Sequence, residues 1–192
     1  MAEIKSALEL ALEKAERIGK ASPAEMQTLK WQEQARQLAA DYLREKIELT
    51  PELANLPADA KPVVATEVRE VLLRNIILPR EGGKDPTTNR ALAGMVLVAR
   101  DKKAAQRVIQ EIDKLLQAYL QVRQNALEQL KAQFNSQLDS VKRALEAQMQ
   151  RQVKIDVEHT PQFQEQWRNF EVQLMQQFEP LLEKHKTMLA TL

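Results

Sequence analysis

Cysteine is absent from the chain, so disulfides and thiolate chemistry are excluded. Glycine occurs only four times and aromatic residues make up 4%, which leaves little material for tight β-turns or strands. There are two histidines, too few to build a histidine-rich metal centre. Neither sign of charge dominates: the net charge of +1 gives no global attraction to nucleic acid or to an anionic membrane. The longest apolar run, Ala91 to Ala99, is nine residues, against the roughly 20 needed to span a bilayer. The first residues, MAEIKSALELALEKAER, mix acids and bases at helical spacing, unlike a signal peptide with its basic start and unbroken apolar core. These absences lead to the expectation of a soluble, cytoplasmic protein with no membrane-spanning segment.

What is present favours helix. Hydrophobic residues at 44% and charged residues at 29% give a foldable composition rich in Ala, Leu, Glu, Lys, Gln and Arg. Ile4, Leu8, Leu12, Ala15 and Ile18 form one stripe, so residues 3–19 read as a first helix. Ser22-Pro23-Ala24-Glu25 is a capping box with proline at the first helical position. The helix it starts carries Leu29, Trp31, Ala35, Leu38, Tyr42 and Leu49 and is expected to end before Pro51. TPELANLPADAKP, residues 50–62, reads as a linker, and a third helix is expected over about Val63 to Leu78. PREGGKDPTT, residues 79–88, is the most loop-like stretch. A fourth helix is expected from near Thr88 to Pro161, roughly 70 residues and about 105 Å long. Its apolar first turns belong inside a bundle.

Within that long helix the large apolar residues Leu127, Leu130, Phe134, Leu138, Val141, Leu145 and Met149 are separated by steps of 3, 4, 4, 3, 4 and 4. This is an 11-residue repeat, not a heptad. It extends back through Leu116 and Ala105, Tyr119 and Val108, and Ile112, with Arg123 the one residue out of character. Eleven residues in three turns is about 3.67 per turn, so the helix should be nearly straight or slightly right-handed. A buried large apolar side chain contributes about 1.5–3 kcal/mol, so a dozen of them require a partner surface. The same spacing recurs in the C-terminal segment, in Phe163, Leu174 and His185, in Trp167, Phe178 and Leu189, and in Phe170, Leu181 and Leu192. Matching periods favour an antiparallel hairpin turning near residues 157–161, with Thr160-Pro161 opening the second helix. The alternatives are one helix kinked at Pro161 and, for VKIDVE at 153–158, a short strand.

The fold expected is therefore all-α. A small N-terminal helical bundle, residues 1–99 with a loop at 79–88, carries a long antiparallel helical hairpin or coiled-coil arm, residues 100–192. The interaction stripe consists of Leu116, Leu127, Leu130, Phe134, Leu138, Val141, Leu145 and Met149 on the first long helix, and Phe163, Trp167, Phe170, Leu174 and Phe178 on the second.

Catalytic signatures do not assemble. His159 has Asp156 three residues before it, but Leu182 occupies the matching place before His185, so the paired Glu-x-x-His pattern of a bundle di-metal site fails. EGGKDPTT lacks the GxxxxGK[ST] spacing of a phosphate loop. Ser6, Ser22, Ser136 and Ser140 have no nucleophile elbow. The reading is a protein without cofactor or enzymatic activity, a scaffold or adaptor acting by self-association or by docking another helical protein. Two alternatives accompany it. Arg100, Lys102, Lys103 and Arg107 form a basic cluster that would suit ribosome, RNA or DNA, and the amphipathic helices would suit coating of a hydrophobic or lipid surface.

Overall fold

The computed structural model describes residues 22–80, 83, 85–149 and 156–192, without the side chains of 139–149. Among the described residues there are six α-helices, one 3-10 turn and no strand. The helices are α1 (Pro23–Leu43), α2 (Leu49–Ala54), α3 (Ala60–Arg74), α4 (Pro86–Val98), α5 (Lys102–Met149) and α6 (Pro161–Ala190). The all-α expectation holds. The helix expected at residues 3–19 lies outside the described residues.

The chain divides into two compact units. One holds the described residues up to Asn75 together with Arg90–Val98, and the other holds Ile76–Asn89 together with Ala99–Leu192.

In the first unit α1 packs on α3. The capping box at Ser22 forms as the sequence predicts: Glu25 N–H donates to Ser22 Oγ at 3.3 Å, and Ser22 N–H donates to Glu25 Oε2 at 2.7 Å. The far end of α1 departs from expectation. The helix stops at Leu43, six residues early. Lys46 N–H donates to Asp41 O at 2.9 Å and Glu45 N–H to Tyr42 O at 3.0 Å, with Glu45 in the left-handed region at φ 60°. That is a Schellman end without its usual glycine. Arg90 reinforces it from α4, donating to Tyr42 O, to Ile47 O at 3.1 Å and to Glu48 at 3.0 Å, with its guanidinium 4.3 Å from the centre of the Tyr42 ring. The core of this unit includes Ala35, Leu49, Val64, Val68, Leu72 and Met95, all fully buried. Gly94 lets α4 approach closely, because a Cβ there would lie 2.8 Å from Tyr42 Cε1 and 2.9 Å from Leu72 Cδ1.

The linker expected at 50–62 is mostly helical. Pro51 and Pro62 each stand third in a helix, where a missing N–H leaves no bond unmade, so they start α2 and α3 and do not separate domains. The third helix ends at Arg74, not Leu78. Asn75 closes it, its N–H donating to Leu72 O at 3.0 Å and its side-chain amide to Val71 O at 2.8 Å. Ile76 and Leu78 are buried and Ile77 exposed, because the chain has left the helix and no longer follows its 3.6-residue period.

The uninterrupted fourth helix is also corrected. It is two helices, α4 and α5, broken at Ala99–Asp101. Asp101 caps α5, with Ala104 N–H donating to Asp101 Oδ1 at 2.9 Å. Asp85 does the same before α4, accepting from Thr87 N–H at 2.8 Å, so that helix opens at Pro86. In the second unit α5 packs on α6, and the 3-10 turn Val157–His159 packs on both. Thr160 caps α6, accepting from Phe163 N–H at 3.4 Å.

Candidate functional site

The second unit contains every residue of the sequence-derived stripe and of the basic cluster. On α5, Leu116 and Phe134 are buried, and Leu127, Leu130 and Leu138 are half-buried. On α6, Phe163 and Leu174 are buried, and Trp167, Phe170 and Phe178 are half-buried. Val141, Leu145 and Met149 stand on helical backbone, but their side chains lie outside the described residues. The contacts run in opposite senses along the two helices. Tyr119 meets Phe178 edge-on with ring centres 5.3 Å apart, and Phe134 meets Phe163 edge-on at 5.3 Å. Between them Arg123 donates twice to Glu171 Oε1, at 3.0 and 2.5 Å, and lies 5.1 Å from the Trp167 ring centre. Phe134, Val157 and Phe163 form a closed cluster with Leu127, Leu130, Leu138 and Trp167 packed on it.

Two consequences follow for chemistry. Of the described part of the stripe, Leu116, Phe134, Phe163 and Leu174 are buried and the others are half-buried, so much of its apolar surface is turned into the helix pair. Arg123, the charge out of place in the apolar repeat, is there because Glu171 neutralises it across the helix pair. The sequence held half of this signal: a cation on an apolar stripe calls for an anion opposite it. Glu171 itself is missed by a search confined to apolar spacing.

Arg100, Lys102, Lys103 and Arg107 are all exposed at the start of α5. Among the described residues none of the four is ion-paired, and Asp101, the acid in their midst, turns its carboxylate to the helix cap.

Among the described residues, the helix pair borders at least two hollows. The larger of them, about 440 Å³, opens between residues Ile76–Arg80 and α6, with Tyr119, Met175 and Leu182 supplying apolar surface. Its volume falls in the range of ligand pockets, roughly 300–1,000 Å³. Of its carboxylates, Glu171 is bound to Arg123, and Glu183 to Lys186 at 2.6 Å. Burial pushes the Tyr119 hydroxyl above its usual pKa, partly offset by Arg123 and assisted by Glu171. Its phenol is therefore a hydrogen-bond donor and not a base at neutral pH. The smaller hollow, about 250 Å³, is lined by Ala126, Gln129, Leu130, Gln133, Gln166, Trp167 and Phe170.

No cluster of three or more His, Cys, Asp or Glu side chains suited to a metal ion occurs among the described residues. His159 pairs with Asp156, at 2.9 Å on an exposed turn. His185 is half-buried on α6, and its Nδ1 is buried with no hydrogen-bond partner. Glu81, Gly82 and Lys84 of the glycine-containing loop lie outside the described residues. Among the described residues no helix is long and apolar enough to cross a membrane.

Residues 50–191, nearly three quarters of the chain, match the family described as "Family of unknown function (DUF6657)", and the chain belongs to that family. No curated protein and no solved structure matches it.

Proposed function

We propose that this DUF6657 chain is a non-catalytic helical scaffold or adaptor that works by self-association or by docking a helical partner along its two long helices. The observation that carries the reading is the pairing of a 48-residue helix with a 30-residue one. That pairing presents a long helical surface, and no group of side chains suited to a metal ion occurs on it among the described residues. In the same reading the α5–α6 pair is a hairpin arm of 11-residue period. Burial supports that period: Ala105, Val108, Ile112, Leu116 and Tyr119 are all buried and follow steps of 3, 4, 4 and 3. Because the stripe is used within the arm, association falls to side chains beside it. Val122, Leu181 and Met188 are 42%, 48% and 46% exposed. Light scattering coupled to size exclusion tests the proposal, with the expectation of a species heavier than 22.0 kDa at micromolar concentration. A monomer at every concentration, together with turnover of any substrate at the 440 Å³ hollow, would replace it with an enzyme reading.

The exposed, unpaired basic cluster favours a second reading, a nucleic-acid-associated binder. Replacing Lys102, Lys103 and Arg107 by Glu would then abolish binding of a mixed-sequence RNA or DNA at low salt, and wild-type binding would weaken steeply as salt rises. Absence of wild-type binding at low salt removes this reading. The surface-coating alternative draws little support from the described stripe, whose side chains are buried or half-buried.

A further inference from the structure

Tyr119 is 3% exposed, and its ring is held edge-on against Phe178. Its hydroxyl makes no hydrogen bond with the described residues, yet the oxygen is not sealed inside the protein. Buried phenols ordinarily have a hydrogen-bond partner. Tyr119 also lines the 440 Å³ hollow, which lies wholly within the second unit, so the hydroxyl opens onto that hollow. The same hollow is lined by apolar Ile76, Leu78, Met175 and Leu182. Ile77, also on its wall, and Met175 are among the large apolar side chains left exposed. The charges around it cancel. Glu171 is paired with Arg123 and Glu183 with Lys186, while exposed Glu179 and Arg80 contribute one charge of each sign.

We propose that this hollow is a binding site for a small, uncharged, mainly apolar molecule whose carbonyl-type oxygen accepts a hydrogen bond from the Tyr119 hydroxyl. The inference goes beyond the scaffold reading and does not depend on it. Ligand sites combine an apolar lining with a few polar groups that fix orientation, and the hollow has that make-up at a volume suited to one small molecule. An ion gains little there, because it would lose water against apolar side chains while meeting as much of its own sign as of the other. The apolar body of the ligand would take exposed Ile77 and Met175 out of water. A phenol can donate or accept. A ligand donor, however, would be drawn to the carboxylates of Glu171, Glu179 and Glu183, whereas the phenol offers its proton to an acceptor. An acceptor oxygen set in an apolar frame is therefore the chemistry that Tyr119 selects.

Benzophenone and diphenylmethane test this, since they share two phenyl rings and differ in the carbonyl oxygen. Each would be titrated into the full-length protein labelled at its six methionine methyl groups, with the Met175 signal assigned by Met175→Leu. Benzophenone should shift the Met175 signal saturably and leave that of Met26, in the other unit, unmoved. Diphenylmethane should bind about three- to tenfold more weakly, the share of one neutral hydrogen bond. Tyr119→Phe keeps the ring and removes the hydroxyl, so it should weaken benzophenone to the level of diphenylmethane and leave diphenylmethane unchanged. Met175→Trp, which fills the hollow from an exposed position, should abolish binding of both in ligand-observed spectra. Circular dichroism would verify that each variant is folded. Equal affinities of the two probes for the wild type, or a difference that survives in Tyr119→Phe, overturns the hydrogen bond to the hydroxyl and with it the proposal. No saturable shift of Met175 up to the solubility limit of benzophenone, or full binding by Met175→Trp, overturns the site. None of these outcomes reads the oligomeric state, so the scaffold reading stands or falls separately by light scattering.

Discussion

Arg90 serves as the missing end-piece of a helix that lies 48 positions earlier in the chain. Its guanidinium reaches two carbonyls and a carboxylate at once, a geometry that a lysine ammonium on a single point of charge cannot reproduce. Arg90→Lys should therefore leave carbonyl oxygens at the end of α1 without a donor and cost about 1–3 kcal/mol in urea unfolding. An unchanged midpoint would show that water satisfies those carbonyls. The two tyrosines are a second residue-scale probe, since Tyr42 and Tyr119 are the only ones in the chain. Burial raises the pKa of both above the ordinary 10.0, with Arg90 opposing at Tyr42 and Arg123 at Tyr119. Unfolded tyrosine loses its proton near 10.0, while the folded chain keeps it. Above that pH the folded state binds more protons, so stability present below 10.0 is lost as pH rises through the folded values. Absorbance at 295 nm should accordingly lag behind free tyrosine and then rise together with loss of helicity. A normal titration in a still-folded protein would show the hydroxyls to be solvated.

Helix starts were more readable than helix stops. Ser22-Pro23 and Thr160-Pro161 open helices where the residues say they should, because a cap is a local bargain between one side chain and the next turn's N–H groups. The end of α1 was not readable. No glycine marks it, Glu45 adopts the left-handed conformation instead, and the residue that secures the turn is Arg90. Glu45→Gly should stabilise the protein by about 1 kcal/mol, since glycine bears no steric penalty there. Destabilisation would mean that the carboxylate holds a contact of greater value. The break before α5 hid for a related reason: Asp101 sits among bases and reads as charge dilution, although its function is to cap. The apolar spacing on α5 can be read along a single helix, whereas the Arg123–Glu171 bond across two helices cannot. Both side chains are only partly exposed, at 17% and 30%. Arg123→Met alone should cost about 1–2 kcal/mol, because Glu171 keeps its charge, and adding Glu171→Gln should recover part of that loss. Strict additivity in this cycle would show that the two do not interact.

The division into two units sets the expectation for the whole molecule. Val68 and Leu116 are fully buried and belong to different units. Val68→Ala and Leu116→Ala should each destabilise, Leu116→Ala by about 2–5 kcal/mol, and the double variant should equal their sum within about 0.5 kcal/mol. A larger discrepancy would indicate one cooperative core. The first unit is also discontinuous along the chain, since Arg90–Val98 completes it after Ile76–Asn89 has been given to the second. This imposes an order on synthesis. Emerging from a ribosome, residues through Asn75 still lack the α4 side chains that seal the unit, and the end of α1 waits for Arg90. The N-terminal unit therefore reaches its folded state only after part of the C-terminal unit has already been made, and its late closure couples the folding times of two otherwise separate cores.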